Sequence, residues 1–168
     1  MKLYFLRHGI AVAHGAPGFR HDSERPLTPQ GERGMKRIAA GIQALEVTPG
    51  VILSSPYVRA RRTAEIVAST LGISKDLKLS KNLAADADPA DLVKELKADY
   101  AACPGVMLVG HEPYLSGLIS VLAAGNADPI LVFKKGSLCR LTVDNLAYGR
   151  CATLDWLLTP RQLKRLGR

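Results

Sequence analysis

Arg7, His8 and Gly9 directly follow the run Lys2-Leu3-Tyr4-Phe5-Leu6. That short apolar, aromatic-containing run reads as a buried strand, so a cation, an imidazole and a flexible glycine arrive together at its carboxyl end. In open α/β sheets, ligands bind at that end of the strands. Phosphoryl transfer needs an in-line nucleophile and cations around the equatorial oxygens. A neutral imidazole whose one ring nitrogen is held by a backbone acceptor leaves the other free to attack phosphorus. A guanidinium gives paired hydrogen bonds to phosphoryl oxygens that a lysine cannot copy.

Two further segments supply matching parts. Ser54-Ser55-Pro56-Tyr57-Val58-Arg59-Ala60-Arg61-Arg62-Thr63-Ala64 follows Val51-Ile52-Leu53, and Val109-Gly110-His111-Glu112-Pro113 follows Val106-Met107-Leu108. Each motif therefore sits at a strand-to-helix junction. Taken singly, His8 and His111 read better as histidines bonded to backbone at turns, and Arg59 as a capping or solvated helix residue. Together, at successive strand ends, they outline one anion site with His8 as nucleophile and Arg7 and Arg59 as its cations.

The chain resembles the histidine phosphatase superfamily, also called phosphoglycerate mutase-like, and is most similar to its short bacterial branch, the phosphohistidine phosphatases of the SixA type. The resemblance runs from Met1 nearly to the C-terminus and rests on four matches in the family's order: Arg7-His8-Gly9; Arg25-Pro26-Leu27-Thr28-Pro29-Gln30-Gly31; Ser54-Ser55-Pro56 with Arg59-Ala60 and Thr63; and Gly110-His111. It implies a three-layer α/β/α fold with a central, mostly parallel sheet, and catalysis by His8, Arg7, Arg59 and His111. Arg7, Arg59 and His111 correspond to phosphate-binding positions, and Arg25 either joins them or pairs with Asp22 or Glu24 in its own loop. The implied substrate is a histidine-phosphorylated protein of the phosphorelay or phosphocarrier kind, cleaved through a phosphohistidine intermediate at His8 with no metal and no cofactor.

The sequence departs from the wider superfamily at the proton donor. Phosphoglycerate mutases and many small-molecule phosphatases carry a Glu after the second motif, whereas Leu79-Ser80-Lys81-Asn82-Leu83-Ala84-Ala85-Asp86 has neither Glu nor Gly. Expelling an alkoxide needs a positioned acid, but a protonated imidazole leaves more readily. Asp22, Glu24, Asp86 and Glu112 remain candidate acids. A phosphatase acting on a small phosphorylated metabolite stands as the alternative. From another class, a non-catalytic phosphate- or nucleic-acid-binding module would use Arg7, Arg59 and the basic tail.

Composition narrows the setting. At 168 residues the chain suits one domain, 1–168, with a substantial core. Cys103, Cys139 and Cys151 are odd in number and widely spaced, which fits free thiols in a reducing cytoplasm. A cysteine phosphatase would carry an Arg about six residues beyond its thiolate, yet Val109, Asn145 and Leu157 occupy those places. The first residues do not resemble a signal peptide, since Arg7 and His8 interrupt a brief apolar run, and no stretch reaches transmembrane length. The net charge of +8 includes Arg161, Lys164, Arg165 and Arg168 with no acid beside them. Such charge attracts anions generally, and the plain reading is a solvated basic helix end. His8, His14 and His21 are not spaced as metal ligands on a helix or strand face.

Alternating patterns predict the elements. Residues 9–27 form a long loop beside the site. Thr28 caps a helix that starts at Pro29 and runs to about Glu46, with Met35, Ile38, Ile42 and Leu45 as its buried stripe. Val51–Leu53 is a strand, Tyr57–Leu71 a helix closed by Gly72, residues 76–83 extended and Pro89–Tyr100 helical. Val106–Val109, Ile130–Phe133, Ser137–Val143 and Cys151–Leu157 read as strands, the last two as a hairpin, and Tyr114–Ala124 as a helix. Thr159-Pro160 opens a basic terminal helix, against whose base Trp156 and Leu157 pack.

Overall fold

The computed structural model describes residues 1–128 and 130–168. Six strands form one mixed sheet in the order β3-β2-β4-β1-β5-β6. They are β1 (Lys2–Arg7), β2 (Val51–Ser54), β3 (Leu77–Leu79), β4 (Gly105–Gly110), β5 (Leu138–Val143) and β6 (Ala152–Leu158). β1, β2, β3 and β4 run parallel, and β5 and β6 form an antiparallel hairpin added alongside β1. Among the described residues, five α-helices cover the sheet: α1 (Pro29–Ala44), α2 (Val58–Leu71), α3 (Pro89–Asp99), α4 (Tyr114–Ala124) and α5 (Pro160–Leu166).

The alternation of β1 shows how one strand serves two layers. Leu3 and Phe5 enter an apolar cluster with Leu92 and Leu96 of α3 and Leu115 and Leu118 of α4. Tyr4 and Leu6 enter the opposite cluster, with Met35, Ile38 and Ile42 of α1, Ala64 and Val67 of α2, and Leu163 of α5. Burying both faces of the central strands creates the three layers and leaves the strand ends for chemistry.

Helix ends follow their caps. The Thr28 side chain accepts the Gly31 N–H at 2.9 Å, with Pro29 in the first turn of α1. α1 stops at Ala44 rather than near Glu46, because Glu46 takes a left-handed backbone, φ 54°. Gly72, φ 74°, closes α2 in the left-handed conformation that glycine adopts without a Cβ penalty.

Three expectations need correction. Residues 130–133 do not form a strand, although their β-branched composition suggests one. β1 already has β4 and β5 on its two edges, and the segment satisfies its backbone elsewhere. The Ile130 N–H donates to Ser120 Oγ, and the Phe133 carbonyl accepts from Arg7. The extended stretch expected over 76–83 contracts to β3, after which the Ser80 side chain accepts the Asn82 N–H and caps a 3-10 turn, Lys81–Leu83. Trp156 packs with α5 as expected, but Leu157 alternates to the opposite cluster.

Candidate active site

Three adjacent strands, β2, β4 and β1, deliver the site from their carboxyl ends. The backbone ladder continues one step past them. The His8 N–H donates to the Gly110 carbonyl at 3.1 Å and the Ser55 N–H to the Val109 carbonyl at 2.9 Å. Successive crossovers thus bring His8, Ser55 and His111 together, and the His8 and His111 ring centroids lie 5.2 Å apart. Three of the principal groups are withdrawn from bulk water, His8 at 5% exposed, Arg59 at 4% and His111 at 1%, while Arg7 is partly exposed.

His8 Nδ1 lies 2.7 Å from the Gly9 carbonyl, so that nitrogen carries the proton and donates it. Nε2 then bears the lone pair, toward which Arg59 Nε donates at 3.3 Å. Burial pulls the His8 pKa down to about 3 against the opposing Gly9 hydrogen bond, helped by His111 once that ring is itself protonated and by the charges of Arg59 and Arg7. The imidazole is therefore neutral at physiological pH.

The loop that carries His8 is fixed from α2. Thr63 Oγ1 accepts the Gly9 N–H at 3.1 Å and donates to the Arg59 carbonyl at 2.8 Å. Arg59 and Thr63 share the buried face of α2, one turn apart, whereas Arg61 pairs outside with Glu65. Arg62 reaches across to Glu32 of α1 with two hydrogen bonds.

Arg59 uses each of its three guanidinium nitrogens, with one N–H left on each terminal nitrogen. Besides its bond to His8, Nη1 donates to the Asp22 carbonyl at 2.6 Å and Nη2 to Asp22 Oδ2 at 2.7 Å. Arg25 donates through Nε and Nη2 to the other Asp22 oxygen and through Nη1 to the Val12 carbonyl. Of the alternatives left open for Arg25, the structure shows the pair with Asp22. Burial acts to raise the Asp22 pKa, but the hydrogen bonds from Arg25, Arg59 and His14 outweigh it and hold the carboxyl well below the usual range. Asp22 is thus a clamp on two arginines and a poor proton donor.

Arg7 donates through Nη1 to the Phe133 carbonyl at 2.7 Å. Burial draws its pKa down, with Glu112 opposing. Among the described residues, Arg7 Nε and His111 Nδ1 are both buried without a hydrogen-bond partner, as is Ser137 Oγ from the residue whose carbonyl accepts the Arg7 N–H. An unpaired buried donor costs about 1–3 kcal/mol, so such groups mark places where a ligand repays the fold.

Ser55 settles the proton on His111. Its Oγ accepts the Tyr57 N–H at 3.3 Å and lies 2.7 Å from His111 Nε2; Ser55 is fully buried and its hydroxyl hydrogen has no other acceptor among the described residues, so that hydrogen is directed to Nε2. Burial and the charge of Arg59 pull the His111 pKa down to about 4 despite Asp22. Neutral and accepting at Nε2, His111 carries its hydrogen on Nδ1, the unpartnered atom.

The sequence pointed to His8, Arg7, Arg59, His111 and Arg25, and to Asp22 as a partner for Arg25 or an acid, but gave no role to Ser55, Thr63 or Ser137 and did not pair Asp22 with Arg59. Ser55 and Thr63 lay inside the quoted motif, and their type and place beside Pro56 and Arg59 were the available signal. The Asp22–Arg59 pair spans 37 residues and left no local signature.

The remaining candidate acids are also placed. Glu24 accepts the backbone N–H groups of Arg20 and His21, which lowers its pKa. Asp86 accepts from the Tyr57 hydroxyl, and Glu112 caps α4 through the Ser116 N–H. Among the described residues, no group of three or more His, Cys, Asp or Glu side chains is arranged to hold a metal, and no helix is long and apolar enough to cross a membrane. The three cysteines are free, and burial pushes the Cys139 thiol up to about 12.

The fold and the paired histidines define a class. A family model for the histidine phosphatase superfamily (branch 1) matches residues 3–84, and the chain belongs to that superfamily as one of its phosphatases. Among individual proteins, it is similar to phosphohistidine phosphatase SixA of Escherichia coli (strain K12), with 27% identity over 165 residues covering 98% of this chain and 97% of SixA. An uncharacterized protein of Picosynechococcus is 34% identical over 142 residues, 84% of each chain. The structure of the protein histidine phosphatase SixA complexed with tungstate matches with a TM-score of 0.83 and 26% identity, covering 97% of this chain and 99% of that one.

Proposed function

We propose that the protein hydrolyses phosphohistidine on a partner protein through a covalent intermediate on His8 Nε2. The observation that carries this reading is the His8 ring itself: Nδ1 bound to the Gly9 carbonyl and Nε2 unprotonated beside Arg59. Arg7, Arg59 and His111 Nδ1 are donors for the oxygens of the group transferred. Tungstate, a tetrahedral oxyanion, is bound by the similar SixA structure, and such an anion is the shape this cluster of donors suits.

The proton inventory favours phosphohistidine over a phosphomonoester. A phosphohistidine ring protonated on its other nitrogen is cationic. Nε2 of His8 forms a bond to phosphorus as the substrate P–N bond breaks, and the substrate departs as neutral imidazole without receiving a proton. His8 becomes the cationic ring, its Nδ1–H still donating to Gly9. Water then forms a P–O bond as the His8 P–N bond breaks, giving dihydrogen phosphate and neutral imidazole. No separate acid is consumed, which suits a site where Asp22 is clamped as an anion and Glu24 is occupied by backbone. An alcohol leaving group would require the missing donor.

The test compares phosphate release from a phosphohistidine-bearing protein, a phosphoserine peptide and a panel of sugar phosphates, with wild type and His8→Ala. Selective release from phosphohistidine, lost in His8→Ala, is expected. Preferential turnover of one sugar phosphate would move the substrate to a small metabolite, and full turnover by His8→Ala would remove the nucleophile. Release from none of them would return the chain to a binding role.

A further inference from the structure

We infer that a basic trough running from the catalytic loop along α1 and α5 is the docking surface for an acidic face of the phosphohistidine-bearing protein. This inference rests on the function proposed above. A groove of about 400 Å³ begins beside Arg7 and Gly9 and is walled by Ile10, Met35, Lys134 and Lys164. It continues, through the shared Lys134, Pro160 and Lys164, into a wider one of about 770 Å³ lined by Arg37, Lys134, Arg161, Lys164, Arg165 and Arg168. No acidic side chain lines either part.

The trough is rigidly built. Thr159 and Gln162 cap α5 reciprocally, and Leu163, fully buried, anchors it to the core. The crossing with α1 is so close that a Cβ on Gly41 would lie 2.0 Å from the Leu163 carbonyl oxygen. Seating Leu163 inward turns Arg161, Arg165 and Arg168 outward, where all three are exposed.

These cations are set apart by clustering along one groove; scattered exposed cations such as Lys36, Lys75 and Lys97 also lack a carboxylate partner among the described residues. Arg25, Arg59, Arg61, Arg62, Lys94 and Arg140 each have a carboxylate partner. Among the described residues, the six along the wider groove have none within ion-pair distance. Uncompensated like charges on a fixed scaffold repel one another, and an anionic partner relieves that repulsion.

The chemistry of the groove selects the kind of anion. Its charges are spread over an open surface rather than converging on one point, which fits a macromolecular face better than a small phosphate. No aromatic side chain lines it for base stacking. The catalytic end also carries apolar groups: Ile10 in the loop after β1, Val58 at the start of α2 and Val132 before β5 are all exposed. An apolar rim beside a cationic trough is a protein-binding composition, and contiguity with Gly9 lets one partner fill both.

The experiment uses Arg161→Glu/Arg165→Glu/Arg168→Glu in the full chain, none of these residues belonging to the catalytic cluster. Turnover of free phosphohistidine is compared with turnover of an acidic protein carrying one surface phosphohistidine, at low and high salt. Electrostatic steering raises association about tenfold to a thousandfold. The variant is therefore expected to lose at least about tenfold in kcat/KM on the protein, mostly in KM, with a flattened salt dependence and unchanged turnover of free phosphohistidine. Thermal unfolding of the variant checks that the fold survives, and Lys134→Ala/Lys135→Ala gives a milder second probe.

Equal loss on both substrates, or none on either, overturns the docking surface while leaving the phosphatase reading intact. Wild type that releases no phosphate from either substrate overturns that reading and the docking inference with it. A 20-nucleotide single strand bound by wild type and released by the variant, with protein turnover unaffected, assigns the trough to nucleic acid instead.

Discussion

His8 and His111 have the same charge at neutral pH and opposite tasks, and the difference lies in which ring nitrogen is held. The Gly9 carbonyl accepts a hydrogen bond from His8 Nδ1–H and leaves a nucleophilic lone pair on Nε2, whereas the Ser55 hydroxyl donates a hydrogen bond to His111 Nε2 and leaves a donor at Nδ1. Ser55 is therefore a positioning residue whose effect runs through the tautomer of His111. Ser55→Ala should lower kcat about tenfold, short of the hundredfold to thousandfold typical of removing a preorganised donor outright, with KM changed less. Nitrogen-15 spectra of the imidazoles provide the decisive readout: His111 should shift from one dominant tautomer to a mixture. A variant with reduced kcat and an unchanged His111 spectrum would show that Ser55 only packs. The role of Ser55 was not legible in the sequence, because a Ser-Ser-Pro run after a strand is ordinary turn chemistry. Its partner lies 56 residues away.

At the scale of elements, close backbone approaches set the catalytic loop against α1. A Cβ on Gly31 would lie 2.0 Å from the Ile10 carbonyl oxygen, and one on Gly9 would meet Met35 Cγ at 2.6 Å. The first obstacle is backbone, which cannot turn aside as a side chain can. Gly31→Ala should push the loop bearing His8 off α1, destabilising the fold by about 1–3 kcal/mol as overpacking does, and should lower kcat together with Tm. Gly9→Ala, facing a flexible methionine, should cost less stability. Equal Tm for Gly31→Ala and wild type would show that α1 and the loop yield independently. Gly31 was legible as part of an ordered motif, but the reason for it was not, since the approach joins segments that local pattern treats separately. The strands and helices that cover the sheet were readable from periodicity and caps. Residues 130–133 misled because composition registers β-branched residues without knowing that both edges of β1 are taken.

For the whole molecule, burying two neutral histidines within a cationic site ties the fold to pH. The His8 and His111 pKa values fall from the ordinary 6.5 to about 3 and about 4. Below 6.5 the unfolded chain takes up protons on these rings that the folded chain refuses, so stability is complete above that pH and declines as pH falls toward 4. By pH 5 the loss is on the order of 2 kcal/mol for each histidine. Asp22, with its lowered pKa, acts in the same direction but further into acid, its contribution falling away below the ordinary carboxylate range, where the unfolded carboxyl binds a proton that the folded one refuses. The net charge of +8 adds to the effect, because protonating carboxylates removes the counterweight to 23 basic side chains. Thermal unfolding from pH 7 to pH 5 should therefore show a falling Tm, and His111→Asn should flatten the slope even where it lowers Tm at pH 7. The slope isolates the proton linkage from any packing lost in the variant. Parallel slopes for wild type, His8→Asn and His111→Asn would mean that neither imidazole is held neutral by the fold, and the nucleophile would then need another source of its free lone pair.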